Sequence, residues 1–279
     1  MPALKKLLAV AALATIAVSA AGCGATASSS EPATDKTSLK IGFNPGPYRE
    51  QFEQGILPIL EEEGFSAESV EFTDGIVVNV ALKDGEIDAN IMQHPVYMAS
   101  VNEQEGLDNV ALVQVPGPPM ALFGGKSKTL DVADGATVAV PNQSSNMYRA
   151  FRVLEKEGWL ELSDDIDPAT ASPADITGNP HNLQIVPIEN AQQVASLPDV
   201  DYSVIQGNFV VSGGLKLADA LALEDLTDDF SVVVAVDAAN VDTPWAQAIK
   251  EAYESDAFAE YIASNSQYEG YHLPTALER

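Results

Sequence analysis

Residues 70–97 read VEFTDGIVVNVALKDGEIDANIMQHPVY, and their pattern changes type three times. Residues 69–72 predict a strand. Residues 76–83 predict a helix, closed by Asp84-Gly85, because glycine accepts the left-handed conformation that ends a helix. A short strand follows over 87–90, and a second helix over 94–104. Strand, helix, strand and helix in so short a span are the signature of α/β layering.

The same alternation extends in both directions. Upstream, 39–43 (LKIGF) predicts a strand. Residues 48–63 carry Phe52, Ile56, Ile59 and Leu60 at helical spacing, with Gly64 as the stop. Downstream, strands are expected over 110–115 and 120–123. A second cycle starts at Lys126, with a strand over 137–140 and a helix over 145–157. That helix places Met147, Ala150, Phe151 and Leu154 on one face, and Gly158 ends it. Strands are expected over 183–188 and 202–205. The β-branched run 231–236 suits a central strand buried on both faces. Two helices, 244–255 and 256–263, finish the chain. Residues 161–182, with Pro168, Pro173 and Pro180, read as a long polar connection.

The chain has 279 residues, 46% of them hydrophobic, with 14 basic and 41 acidic residues and a net charge of −27. That size predicts one large or two medium domains. The charge argues against nucleic acid as a partner, because phosphates need a basic face. An anionic membrane surface would also repel this chain unless something tethered it.

Residues 1–22 read as a signal peptide. Lys5 and Lys6 precede an uncharged run over 7–21, shorter than the roughly 20 residues of a membrane-spanning helix. Ala20-Ala21-Gly22-Cys23 then reads as a lipobox, with Ala20 where leucine is usual, and predicts lipidation at Cys23. This is the only cysteine, so no internal disulfide and no cysteine-based metal site is expected. Residues 23–37, rich in Ser, Ala and Thr, read as the lipidated cysteine and a flexible tether.

Three stretches carry a family likeness: residues 70–97, AVPNQSSNMYRAF at 139–151, and VIQGNFV at 204–210. Together they resemble the NlpA family, the methionine-binding lipoproteins of bacterial ABC importers. The resemblance implies a two-lobed periplasmic-binding-protein type II fold with a ligand cleft between the lobes. Lobe one would comprise 38–124 plus 228–279, and lobe two 125–227. It further implies a lipid-anchored, extracytoplasmic protein that delivers an amino acid, methionine favoured, to a permease and its ATPase. It implies no cofactor.

Arg149 lies within about one turn of a helix start announced by Ser144 and Ser145. A cation there opposes the helix dipole, and an anion between the two would remove the conflict. Spacing alone leaves Arg149 as either a solvated surface residue or a carboxylate receptor; the resemblance favours the receptor. Asn146, three residues earlier, can share its direction, or serve only as a cap. Asn208 matches the second asparagine of the family's NGN element, which contacts the ligand's amino-acid backbone; otherwise it reads as a turn residue. His94 and Tyr97 match positions that line the family's methionine side-chain pocket. Two aromatics of that pocket are replaced, by Met92 and by Gly75. These changes enlarge and soften it, and Met147, Tyr148 or Phe151 could refill the space from the other lobe.

Enzyme signatures are missing. Gly124-Gly125-Lys126-Ser127 lacks the earlier glycine of a P-loop, and no GxSxG occurs. His94, His181 and His272 are too scattered for a zinc motif, and Asp164, Asp165 and Asp167 lack the EF-hand glycine and glutamate. The expectation is a binding protein rather than an enzyme. The alternatives are the same scaffold binding another amino acid or a short peptide, or a non-transport surface lipoprotein such as an adhesin.

Overall fold

The computed structural model describes residues 36–277; the signal peptide, Cys23 and most of the tether lie outside the described residues. β1 (Ser38–Phe43) buries Leu39, Ile41 and Phe43. The helix expected next is one continuous run in three parts: α1 (Tyr48–Gln51), a π-helical turn (Phe52–Ile56) and α2 (Leu57–Glu62). Pro58 has no N–H to give, and just ahead of it the ladder widens to Leu57 N–H bonding Phe52 O. Gly64, at φ +91°, closes the helix. β2 (Ser66–Glu71), α3 (Gly75–Lys83), β3 (Ala89–Gln93), α4 (Pro95–Glu105) and β4 (Asn109–Gln114) complete the first cycle.

The second cycle runs β5 (Ala121–Gly124), β6 (Thr137–Pro141), α5 (Ser144–Lys156), then β7 (Glu161–Leu162) and β8 (Ile176–Gly178). β7 and β8 pair antiparallel inside the stretch expected as a plain connection. Leu162 and Ile176 anchor that pair on the neighbouring core. β9 (Gln184–Ile188), α6 (Gln193–Ser196), β10 (Tyr202–Ile205), α7 (Gly207–Ser212) and β11 (Ala222–Leu223) follow. The chain ends with β12 (Val233–Asp237), α8 (Pro244–Tyr253) and α9 (Asp256–Ser264). α7 escapes the sequence reading because six residues are too few to show a helical period.

Two five-stranded sheets result, in the orders β2-β1-β3-β12-β4 and β11-β5-β10-β6-β9. β1 pairs parallel with β2 and β3, while β12 runs antiparallel between β3 and β4. Residues Val233 to Val236 are fully buried, as a central strand requires. Each sheet has its own core. The first gathers Phe43, Phe52, Ile91, Val234, Trp245 and Tyr253. The second gathers Leu122, Val138, Phe151, Trp159, Tyr202 and Val204. Each such side chain contributes roughly 1.5–3 kcal/mol of burial.

One expected boundary moves. β5 was assigned with lobe one, ending at Gly124, yet it pairs antiparallel with β10 and β11 in the second sheet. The outgoing crossing is therefore 115–120, VPGPPM, whose prolines cannot supply a central strand's N–H groups. The return crossing is 224–232. Gly117 also bridges His272, tying the C-terminal segment to the outgoing crossing.

Candidate functional site

The two sheets approach each other where the ends of β3 and β10 face the start of α5. His94 is the N-cap of α4, and its Nδ1 accepts the Tyr97 backbone N–H at 3.1 Å. The proton therefore sits on Nε2, which faces Asn146 Oδ1 on α5 at 3.3 Å and donates to it. That bond joins the first sheet's elements to the second's. Asn208, in the first turn of α7, makes another by donating Nδ2 to Pro45 O at 3.1 Å. Gly46 permits this contact: its φ is +147°, and a Cβ there would lie 2.8 Å from Asn208 Cβ. Gly207 is also required by close approach, because a Cβ would meet Pro118 O at 2.3 Å.

Between these elements lies a cavity of about 110 Å³ bordered by Gly75, Met92, His94, Tyr97, Asn146 and Asn208. A deeper recess of about 30 Å³ shares Met92, His94 and Asn208 with it and adds Arg149. All seven residues singled out from the sequence for ligand contact therefore border one site. Cys23 lies outside the described residues.

Arg149 is buried, at 6% exposure, and it does not face the site with a free charge. Its Nε and Nη2 donate to Glu224 Oε1 and Oε2 at 2.8 and 2.7 Å. Its Nη1 reaches Asn146 Oδ1 at 3.5 Å, and the guanidinium carbon lies 5.7 Å from the Phe230 ring centre. The anion that relieves the conflict with the helix dipole is thus supplied by the chain itself. The helix start also differs from expectation. Gln143, not a serine, is the N-cap, and no side chain caps the first turn.

The space at Gly75 is not refilled from the other lobe. Met147 and Phe151 are buried in the second core, and Tyr148 stacks on Phe230 at 5.6 Å. The space is taken by Tyr97 and Met92: a Cβ on Gly75 would fall 2.4 Å from Tyr97 Oη and 3.1 Å from Met92 Cε. The glycine therefore makes room for the phenol of its own lobe.

Several residues of the site carried no sequence signal. Glu224 is one acid among 41 and stands 75 residues from its partner. Asn44, Gln143, Asn190 and Gln206 border the cavity as single amides in different segments. Gln143 and Gln206 lay within quoted stretches, but neither was singled out. Burial and the adjacent Arg149 charge push the His94 pKa down to about 3, so the imidazole is neutral. Burial, helped by Asp74, raises the Tyr97 phenol to about 12. His94 and Tyr97 are thus neutral hydrogen-bonding groups near neutral pH. Among the described residues, no cluster of three or more His, Cys, Asp or Glu is placed to hold a metal ion. None of the described helices is long and apolar enough to cross a membrane.

Residues 39–276 match the family model described as NlpA lipoprotein. The D-methionine-binding lipoprotein MetQ of Salmonella typhi is 32% identical over 254 residues, which is 90% of each chain. A nutrient binding protein from Burkholderia cenocepacia, solved bound to methionine, superposes with a TM-score of 0.78 at 33% identity. The match covers 84% of this chain and 99% of that one. The substrate binding protein of a methionine transporter from Streptococcus pneumoniae gives a TM-score of 0.75 at 26% identity, covering 86% and 96%. The fold is the two-lobed, mixed α/β fold of periplasmic substrate-binding proteins, with one lobe built on each sheet. With its family match running through nearly the whole described chain, this protein belongs to the NlpA lipoprotein family.

Proposed function

We propose that this protein is the solute-binding component of an amino-acid importer, holding its ligand between the lobes and delivering it to a membrane permease powered by an ATPase. One observation carries the reading: a buried guanidinium borders a cavity walled by both lobes, with His94 and Asn146 bonded across it. A guanidinium has five N–H donors. Glu224 takes two and Asn146 one, so two remain for a ligand carboxylate.

In this reading Arg149 and Asn146 hold the α-carboxylate and Asn208 the remaining backbone polar groups. His94, Tyr97, Met92 and Gly75 shape the side-chain end. Methionine, which relatives are named for binding, is the reference ligand. Closure of the lobes excludes water, strengthens the charge-assisted bonds, and presents a surface to the permease. Lipidation at Cys23 tethers the protein to the outer face of the membrane, overcoming the repulsion that its net charge would otherwise impose. The crossings at 115–120 and 224–232 form the hinge. The ligand is released unaltered, without a cofactor.

Thermal unfolding against the twenty amino acids tests the proposal, since a ligand at 100 times its Kd adds about 2.7 kcal/mol of stability. A shift with methionine or another member that Arg149→Met abolishes supports it. A flat response across the panel sinks it.

A further inference from the structure

We infer that Phe230 is a specificity-determining residue: its ring seals the carboxylate end of the site, so that a free amino acid is accepted and one extended through its carboxyl group is refused. This deepens the amino-acid reading above and rests on it.

Phe230 ends a single 3₁₀ turn, Asp228–Phe230, in the return crossing. Two side chains pin that turn. Gln114 Nε2 donates to Asp228 O at 3.0 Å, and Ser231 Oγ donates to Thr227 O at 3.2 Å. The ring so placed meets groups from both lobes. The His94 imidazole packs at 69° to it with 5.2 Å between centres, and Tyr148 of α5 stacks on it at 5.6 Å. The Arg149 guanidinium carbon lies 5.7 Å from its centre, within the range of a cation–π contact.

On the far side of the ring from the recess lies an outer cavity of about 390 Å³, bordered also by Tyr148, Arg152 and Lys156. Among the described residues, only Arg149 and Phe230 border both this cavity and the recess of about 30 Å³. These two side chains are therefore the partition between them. Arg149 is held in place by its two bonds to Glu224, at 2.8 and 2.7 Å. The remainder of the partition is the Phe230 ring, kept there by packing alone.

The two volumes decide what the site admits. A water needs roughly 10–15 Å³ of such space, so the recess takes about two water-sized groups, the number of oxygens in a carboxylate. A peptide or ester continues beyond that point, and the ring stands in its way. A clash of this kind rejects the longer ligand without weakening the shorter one. The ring also covers part of the guanidinium, and excluding water there strengthens its bonds to a carboxylate. Without the ring, the recess would run into the outer cavity, which has room for a further residue.

Titration calorimetry with L-methionine and L-methionylglycine tests this on the wild type, Phe230→Ala and Phe230→Tyr. The wild type is expected to bind methionine at least about a hundredfold more tightly than methionylglycine. Phe230→Ala is expected to shrink that ratio at least about tenfold by binding the dipeptide more tightly than the wild type does, and Phe230→Tyr, which keeps the ring, to preserve it. If the dipeptide gains nothing in Phe230→Ala, the role is merely structural and the inference is overturned, whatever methionine loses. An equal gain in Phe230→Tyr overturns it too, as does a wild type that binds the dipeptide as tightly as methionine; each leaves the amino-acid reading standing. A wild type that does not bind methionine also sinks the inference, and the twenty-member panel then judges the amino-acid reading separately.

Discussion

Arg149 and Glu224 meet through two parallel hydrogen bonds across 75 residues of sequence, and each side chain is only 7% exposed. Glu224 also accepts the Met120 backbone N–H at 2.9 Å, so one carboxylate ties α5 to both crossings between the sheets. Truncating the cation leaves a buried, unpaired carboxylate. Arg149→Met is expected to cost about 3–5 kcal/mol, and adding Glu224→Leu to recover most of that loss. Urea denaturation of the two single variants and the double variant checks it; additive losses would show that the pair is not coupled.

Gly75 opens α3 directly after the Asp74 cap, where alanine would ordinarily favour the helix by roughly 1 kcal/mol. Here the sign is expected to reverse. The new Cβ would fall 2.4 Å from Tyr97 Oη, so the phenol must move. Gly75→Ala should cost about 1 kcal/mol alone and become neutral or stabilising in a Tyr97→Ala background. The same denaturation experiment reads both numbers.

His94 supplies a pH dependence of fixed sign. Its pKa falls from 6.5 to about 3 on folding, so the unfolded chain binds a proton that the folded one refuses. Stability from this group is fully present above pH 6.5 and is lost as pH falls toward 3, at about 1.4 kcal/mol per pH unit. Many carboxylates titrate nearby in pH, so the test is a difference. Between pH 6 and 4.5 the wild type should lose stability faster than His94→Gln, by about that slope.

Asn79 is fully buried behind the site. Its Oδ1 accepts from Gln93 at 2.7 Å and Asn109 at 3.0 Å, while its Nδ2 donates to Gln93 Oε1 at 2.8 Å. Asn79→Ala strands those amides in a dry core and is expected to cost at least about 2 kcal/mol. Amide hydrogen exchange should quicken first along β3, whose end carries Met92 and Gln93. Unchanged protection there would show that the cluster does not hold the strand.

The residues now found around the cavity were singled out by the family resemblance, and local spacing only paired them. His94 and Tyr97 stand three apart at a helix start, as do Asn146 and Arg149, so each pair is brought close by local structure. Glu224 and Asn190 could not be read in that way. Their partners come from other segments, and no periodicity links residues joined only through space. The refilling at Gly75 was misread for a related reason: the volume freed by a missing ring goes to whichever neighbour reaches it, and Tyr97 was nearer than α5. β5 was grouped with the first sheet by the boundary that the resemblance implied, and its own pattern could not correct this, because a strand's pattern reports its burial and not its partner.

The shortest elements, β7, β8, β11, α6 and α7, were not read, but local periodicity and turn chemistry were enough to establish the α/β alternation and the longer strands and helices. These depend on neighbours a few residues apart, which the order of amino acids states directly. The neutral state of His94 and the partner of Arg149 depend on groups brought together from distant segments. Their energies are set by burial and by distances that exist only once both sheets have folded and faced each other.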